Sequence, residues 1–355
     1  METPLNIGFV GLGWGAHVAG MLASGPASRL FNVAAACDMD AQRLAEFAAR
    51  HRVKTHAGLD ALLADRDVPV IGLFSGPAGR AGLLRRIIRA GKDVMTTKPF
   101  ELDPAAARGV LEEARALGRV IHVNSPPPEP PRYIGQILRW QRGHDLGRPV
   151  SCRGEMLASY HEKADGRWLD DPALCPAAPV FRIGIYTLND LLRLFGPVAA
   201  VSVMGSRVRT GRPTPDNAQL GLLFANGALG SVHASFCVDD GQHYANALTL
   251  HYERGTITRN ILPAAYGRAE WRTQLRLVAT RKTAGPDGRG GAEVFTEDWE
   301  SDEASGSYEW QAFHDAITGR RTIAMPVDEI VGATAVVAAM ARAERSGAVE
   351  RVVVP

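Results

Sequence analysis

The sequence predicts an α/β protein in two parts: an N-terminal domain on a parallel sheet, then a C-terminal α+β domain with a large, mostly antiparallel open sheet. Three observations predict it. Over residues 1–123 short β-rich runs alternate with helical patterns, the signature of βαβ units. The run Ser125-Pro126-Pro127-Pro128-Glu129-Pro130-Pro131 then breaks the pattern, because it can continue neither a helix nor a central strand, and it reads as a hinge. Beyond it the runs are mainly strands punctuated by turn signals. A chain of 355 residues also exceeds the roughly 250–300 residues at which single cores stop growing, so the predicted domains are 1–123 and 124–355.

In the first part, strands are predicted at 6–10, 32–37, 69–74, 93–97 and 119–123. Helices are predicted at 16–24, 40–51, 59–64, 78–90 and 104–117. Asp103-Pro104 supplies an N-cap followed by proline at the first helical position, and Gly91 and Gly118 stand just past helix ends. In the second part, strands are predicted at 150–157, 198–208, 220–224, 229–236, 248–252 and 256–260. Asn226-Gly227 marks a hairpin, and Glu253-Arg254-Gly255 marks another turn. Residues 281–291, rich in glycine and charge, read as a mobile loop, and helices at 308–318 and 327–345 close the chain.

Composition excludes several classes. A hydrophobic fraction of 46% with 22% charged residues is that of a folded globular chain, not a disordered one. A net charge of +2 with dispersed arginines argues against a nucleic-acid surface. No run approaches the ~20 apolar residues of a membrane span, and the N-terminus lacks the features of a signal peptide. The four cysteines, Cys37, Cys152, Cys175 and Cys237, form no metal-binding spacing and fit reduced thiols in a cytoplasmic protein, so no metal is expected.

Gly11-Leu12-Gly13-Trp14-Gly15-Ala16 follows the first strand and opens the first helix, a GxGxxA variant of the dinucleotide fingerprint. Gly11 permits the tight turn, Gly13 lets backbone amides approach a pyrophosphate, and Ala16 lets helix and strand pack closely. Asp38 ends the second strand where the fingerprint calls for an acid roughly 20 residues on. A carboxylate there accepts hydrogen bonds from ribose hydroxyls and repels a 2′-phosphate, so a Rossmann domain binding NAD rather than NADP is expected. Arg43 is the countersignal, since it could reach a 2′-phosphate.

Ala90-Gly91-Lys92-Asp93-Val94-Met95-Thr96-Thr97-Lys98-Pro99-Phe100 resembles the AGKHVxxEKP segment of the Gfo/Idh/MocA oxidoreductases, and the resemblance extends over nearly the whole chain. It implies that Lys98 lies beside the nicotinamide and the reacting carbon. An ammonium at the carboxyl end of a parallel strand can also stabilise the alkoxide that forms as hydride leaves. Thr97 replaces the glutamate of EKP and removes a charge beside Lys98. The family's TPNxxH segment corresponds to Ser75-Gly76-Pro77-Ala78-Gly79-Arg80, which implies cofactor contacts from Ser75, Gly76 and Pro77, with Arg80 in place of histidine.

Arg182-Ile183-Gly184-Ile185-Tyr186-Thr187-Leu188-Asn189-Asp190 is similar in spacing to the family's DxGxHxxD helix. Tyr186 matches the tyrosine of the glucose-fructose oxidoreductase branch, which implies an acid/base partner for Lys98. Without the family, Arg182, Tyr186, Asn189 and Arg193 share one helix face that either lines a cleft or is solvated. Arg182 stands where an aspartate is common and would suit a substrate carboxylate or other anion; Asn189 and Asp190 are further substrate candidates. His161 is a substrate candidate and Trp168 a cofactor candidate in the segment before this helix.

The resemblance implies an oxidoreductase moving hydride between NAD and a secondary alcohol or carbonyl of a sugar, cyclitol or related polyol. A redox-neutral NAD-dependent lyase or glycosidase, and a non-catalytic cofactor-bound sensor, are the alternatives. It also implies a homodimer or homotetramer paired through the C-terminal sheet.

Overall fold

The computed structural model describes residues 3–209, 211–241, 244–263, 271–284, 290–301 and 307–355. They fall into two compact units, Met1–Pro128 with Tyr308–Ile330, and Glu129–Ser307 with Val331–Pro355.

The first unit carries strands β1 (Leu5–Val10), β2 (Phe31–Cys37), β3 (Lys54–Thr55), β4 (Val70–Leu73), β5 (Asp93–Thr96) and β6 (Ile121–Val123). Helices α1 (Leu12–Ser24), α2 (Ala41–His51), α3 (Leu59–Ala64), α4 (Arg80–Arg89) and α5 (Pro104–Ala116) alternate with them. All pairings are parallel, in the order β3-β2-β1-β4-β5-β6. Every residue of β4 is buried, as a parallel strand covered on both faces requires. The order reverses between β1 and β4, and ligands of open α/β sheets bind outside the carboxyl ends of the strands at such a switch point. Strand β3 was not foreseen: its two residues are both exposed and carry no apolar pattern.

The second unit begins with α6 (Arg132–Gly143), also not foreseen, although Tyr133, Ile134, Ile137 and Trp140 are buried at helical spacing. Then come β7 (Pro149–Ala158), α7 (Ile185–Phe195), β8 (Val198–Ser206), β9 (Asn217–Phe224), β10 (Leu229–Ser235), β11 (Tyr244–Tyr252), β12 (Gly255–Pro263), β13 (Trp271–Ala284) and β14 (Gly290–Ser301). With β15 (Glu350–Arg351), these strands form one nine-stranded sheet in which only β10 and β7 pair in parallel. The loop expected at 281–291 is corrected at both ends: residues up to Ala284 extend β13 and those from Gly290 start β14, while 285–289 lie outside the described residues.

Helices α8 (Trp310–Ile317) and α9 (Val327–Ser346) complete the chain. The boundary expected at 123/124, with everything after it in the second domain, differs from the observed division. The chain leaves the first unit at Pro128 and returns to it over Tyr308–Ile330, because α8 presents aromatic side chains to the first core. Phe313 is fully buried there and stacks on Phe31 at 5.7 Å.

Helix α7 lies directly on the second sheet, where glycines make room for it. A Cβ at Gly154 of β7 would stand 2.2 Å from Thr187 Cγ2, and one at Gly184 would stand 3.1 Å from Val232. A buried ion pair also ties the helix down: Asp190 Oδ2 accepts from Arg259 of β12 at 3.0 Å. Arg259 is fully buried, donates to Asn246 as well, and lies over the Tyr133 ring at 4.8 Å. Burial pushes the Asp190 carboxyl up against the pull of Arg259.

Arg259→Ala strands that carboxylate and is expected to lower unfolding stability by ~3–5 kcal/mol in urea denaturation. Arg254→Ala, which breaks the exposed pair with Asp145, is expected to cost under ~1 kcal/mol. Equal losses in the two variants would show that burial does not set the difference.

Candidate active site

The glycine turn is fixed by contact with the end of β4. Gly11 has φ +81°, and a Cβ there would stand 2.9 Å from the Phe74 carbonyl carbon and the Ser75 nitrogen, so only glycine fits. A Cβ at Gly15 would stand 3.2 Å from the Phe74 ring, whereas one at Gly13 would meet nothing within 4 Å. Open space above Gly13, at the positive end of a thirteen-residue helix whose first amides lack intrahelical acceptors, suits a pyrophosphate.

Asp38 sits against this turn. Its Oδ2 accepts from the Leu12 amide at 2.5 Å and its Oδ1 from the Asp40 amide at 2.8 Å. The cap of α2 is Asp40, whose Oδ1 takes the Arg43 amide at 3.0 Å. Arg43 is held between two carboxylates, 3.5 Å from Asp38 and 3.1 Å from Asp40.

Lys98 follows β5, half-buried, with its backbone amide donating to Asn124 Oδ1 at 3.0 Å. Its loop is gripped from the side by Arg80. That side chain is 1% exposed, and its guanidinium donates to the carbonyls of Thr97 at 2.5 Å and Phe100 at 3.2 Å, and to those of Ser75 and Pro99. The expectation that Arg80 offers its side chain to the cofactor is thereby corrected: the guanidinium faces four carbonyls inside the unit. Burial pushes its pKa down to about 10, with Glu101 and Tyr308 pulling the other way, so it stays charged at neutral pH. Glu101, itself buried, accepts from the amides of Gly79 at 3.1 Å, Ala81 at 2.7 Å and Leu102 at 2.7 Å, which joins the lysine loop to the start of α4.

A tyrosine from the returning segment completes this side. Tyr308 Oη donates to Thr97 Oγ1 at 3.1 Å and accepts from Trp14 Nε1 at 2.9 Å. The ring packs edge-on against Phe74 at 5.7 Å, and burial raises the phenol pKa. Thr97 therefore answers a tyrosine where the family pattern has a glutamate. Neither Tyr308 nor Glu101 nor Asn124 was singled out from sequence, because their partners lie far away along the chain.

In the second unit a π-helical turn, Val180–Gly184, precedes α7 and carries Arg182; Tyr186 follows in the first turn of the helix and is half-buried. On the face expected either to line a cleft or to be solvated, Asn189 is buried, and Tyr186 and Arg193 are half-buried. Asp190, a substrate candidate, anchors the helix, accepting from Tyr133 Oη at 3.2 Å as well as from Arg259.

Arg182, expected to suit a substrate anion, meets a carboxylate of its own chain. Its Nη1 and Nη2 donate to Glu162 Oε2 at 2.6 Å and Oε1 at 2.8 Å, a bidentate pair within the unit. His161 is exposed, with Nε2 3.2 Å from Ser159 Oγ and 3.3 Å from Arg209 Nη1. Trp168 is half-buried and meets Phe181 edge-on at 6.4 Å. Among the described residues no helix is long and apolar enough to cross a membrane.

Comparison with known proteins bears on both units. Residues 5–125 match the model of the GFO/IDH/MocA oxidoreductase family with an NAD-binding Rossmann fold, and 136–258 match a GFO/IDH/MocA C-terminal domain. Trans-1,2-dihydrobenzene-1,2-diol dehydrogenase of Bos taurus is 24% identical over 258 residues, 69% of this chain and 72% of that protein. Among solved structures, a Desulfitobacterium hafniense protein assigned as an NADPH-dependent oxidoreductase has a TM-score of 0.75 at 16% identity, covering 99% of this chain and 98% of its own. Levoglucosan dehydrogenase in complex with NADH has a TM-score of 0.71 at 18% identity, covering 99% of each chain. These structures share the fold.

Tyr308→Phe removes two hydrogen bonds and leaves the buried Thr97 hydroxyl without its donor, at an expected cost of ~1–2 kcal/mol in chemical denaturation. Trp14→Phe is expected to cost less, under ~1 kcal/mol, because the half-exposed indole is the weaker end of the chain. A larger loss for Trp14→Phe than for Tyr308→Phe would reverse that ranking.

Proposed function

Because the chain belongs to the Gfo/Idh/MocA oxidoreductase family, we propose that it is an NAD-dependent dehydrogenase acting on a secondary alcohol, or the matching carbonyl, of a neutral sugar, cyclitol or related polyol. The observation that carries this reading is Lys98, the cation at the carboxyl end of β5, on a loop that Arg80, Glu101 and Asn124 hold beside the switch point. The glycine turn and Asp38 fit the dinucleotide, which supplies the hydride acceptor or donor when bound. NAD is favoured over NADP because Asp38 lines the turn and Arg43 is already held by Asp38 and Asp40.

Lys98 hydrogen-bonds the substrate oxygen and stabilises the negative charge that develops there. Tyr186 is assigned the role of proton carrier from its match to the tyrosine of the glucose-fructose oxidoreductase branch. The backbone of Ser75, Gly76 and Pro77 lines the cofactor, and Trp168, His161 and Asn189 are assigned to the walls of the site. The substrate class follows the names of relatives acting on a cyclic diol and on levoglucosan.

The exposed side of the second sheet carries Leu223 and Leu229, cross-strand partners that are 41% and 61% exposed, and Met204, 76% exposed. We assign this face to pairing with a second copy in a homodimer or homotetramer, which light scattering would read as twice or four times the chain mass.

Incubation with NAD and a panel of neutral polyols, followed at the NADH absorbance band, tests the activity. NAD is expected to be used at least ~10-fold more efficiently than NADP, and Lys98→Ala is expected to lower kcat by ~10²–10⁴ while NAD binding survives. Product without net NADH would point instead to a redox-neutral lyase or glycosidase, and full activity in Lys98→Ala would remove the lysine from the chemistry.

A further inference from the structure

The Arg182–Glu162 pair belongs to a larger cluster within the second unit. Arg212 Nη2 approaches Glu162 Oε2 to 3.8 Å, while its Nη1 donates to Asp170 Oδ1 at 2.9 Å and its Nη2 to the Lys163 carbonyl at 2.7 Å. Two guanidiniums and two carboxylates thus balance. The Arg182 guanidinium lies 5.2 Å from the Tyr160 ring and 4.8 Å from the Phe236 ring, and those two rings stack on each other at 4.8 Å.

The four charged side chains differ in exposure. Those of Arg212, Asp170 and Arg182 are 7%, 8% and 17% exposed, whereas that of Glu162 is 39% exposed. What the cluster offers to solvent is therefore a carboxylate. Each of its oxygens accepts one hydrogen bond from Arg182, and a carboxylate oxygen has the capacity to accept a second. Burial pushes the Glu162 pKa up, but the hydrogen bonds and charge of Arg182, with Arg212, outweigh it and hold the group ionised. Tyr186 stands four residues beyond Arg182, so the partner of the Glu162 carboxylate and the proposed proton carrier lie near one another along the chain.

We infer that Glu162 is the specificity residue of this enzyme: it accepts hydrogen bonds from neighbouring hydroxyls of a neutral polyol or cyclic diol, and Arg182 serves to hold it there. The Tyr160 and Phe236 rings back the Arg182 guanidinium and so help fix the pair that holds the Glu162 carboxylate. A substrate carboxylate would meet Glu162 and be repelled. This inference rests on the polyol reading above.

The test is calorimetric binding to the NAD-loaded full chain, using the best neutral cyclic polyol of the panel and a uronic acid of similar ring size, with turnover followed in parallel. Glu162→Gln is expected to weaken polyol binding by ~10–100-fold and to strengthen uronate binding, because Arg182 is released for an anion. A merely structural role would weaken both ligands together. If Glu162→Gln does not fold, Glu162→Asp keeps the charge but withdraws the oxygens by one methylene, and ~3–10-fold weaker polyol binding is expected. Unchanged polyol affinity, or wild-type preference for the uronate, would overturn the assignment whatever the NADH signal. The expected binding pattern without NADH formation would retain Glu162 as the acceptor and refute the dehydrogenase.

Discussion

Carbonyl groups crowd together where β4 and β5 end, because two parallel strands deliver their chain turns to the same edge. A buried guanidinium resolves that crowding. Arg80 gathers the carbonyls of Ser75, Thr97, Pro99 and Phe100, and in doing so sets the spacing between the segment beside the glycine turn and the loop that bears Lys98. Its positive charge is supported by Glu101, whose oxygens accept amides at the start of α4. A lysine on a loose loop would sample many positions; this one begins from a backbone held on both sides, and preorganisation of that kind is what electrostatic stabilisation of a developing charge requires.

The second unit uses charge differently. Arg259 with Asp190 and Arg212 with Asp170 are buried pairs that position α7 and the segment before it, and their neutrality leaves little net field. Against that background the Glu162 carboxylate, 39% exposed and gripped by Arg182, becomes chemically distinctive. The replacement of a common aspartate by Arg182 does not reverse the polarity of the region, because Glu162 accompanies it. Reading one position of a motif without its spatial partner suggested an anion receptor, and the paired geometry suggests an acceptor of hydroxyl groups.

Much of the first unit was legible in sequence because buried parallel strands are continuous apolar runs and the glycine turn has a steric cause that shows in the residues themselves. The same pattern reading missed β3, whose two residues are exposed, and passed over α6 behind the proline run although its apolar spacing was present. Local motifs marked Lys98 and Tyr186. They could not reveal what Arg80 touches, that Tyr308 reaches Trp14 and Thr97, or that Glu162 pairs with Arg182, because each contact joins segments that no local period connects.

The return of the chain over Tyr308–Ile330 also affects how the protein is made. Phe31 is covered by Phe313, so the core of the dinucleotide-binding unit contains a side chain that leaves the ribosome only after strands β7 to β14 have been synthesised. Until then the nascent N-terminal unit shows an uncovered aromatic surface, and its completion has to await a segment of high sequence separation. A fragment ending at the proline run would keep every glycine of the fingerprint yet lack the piece that closes its core.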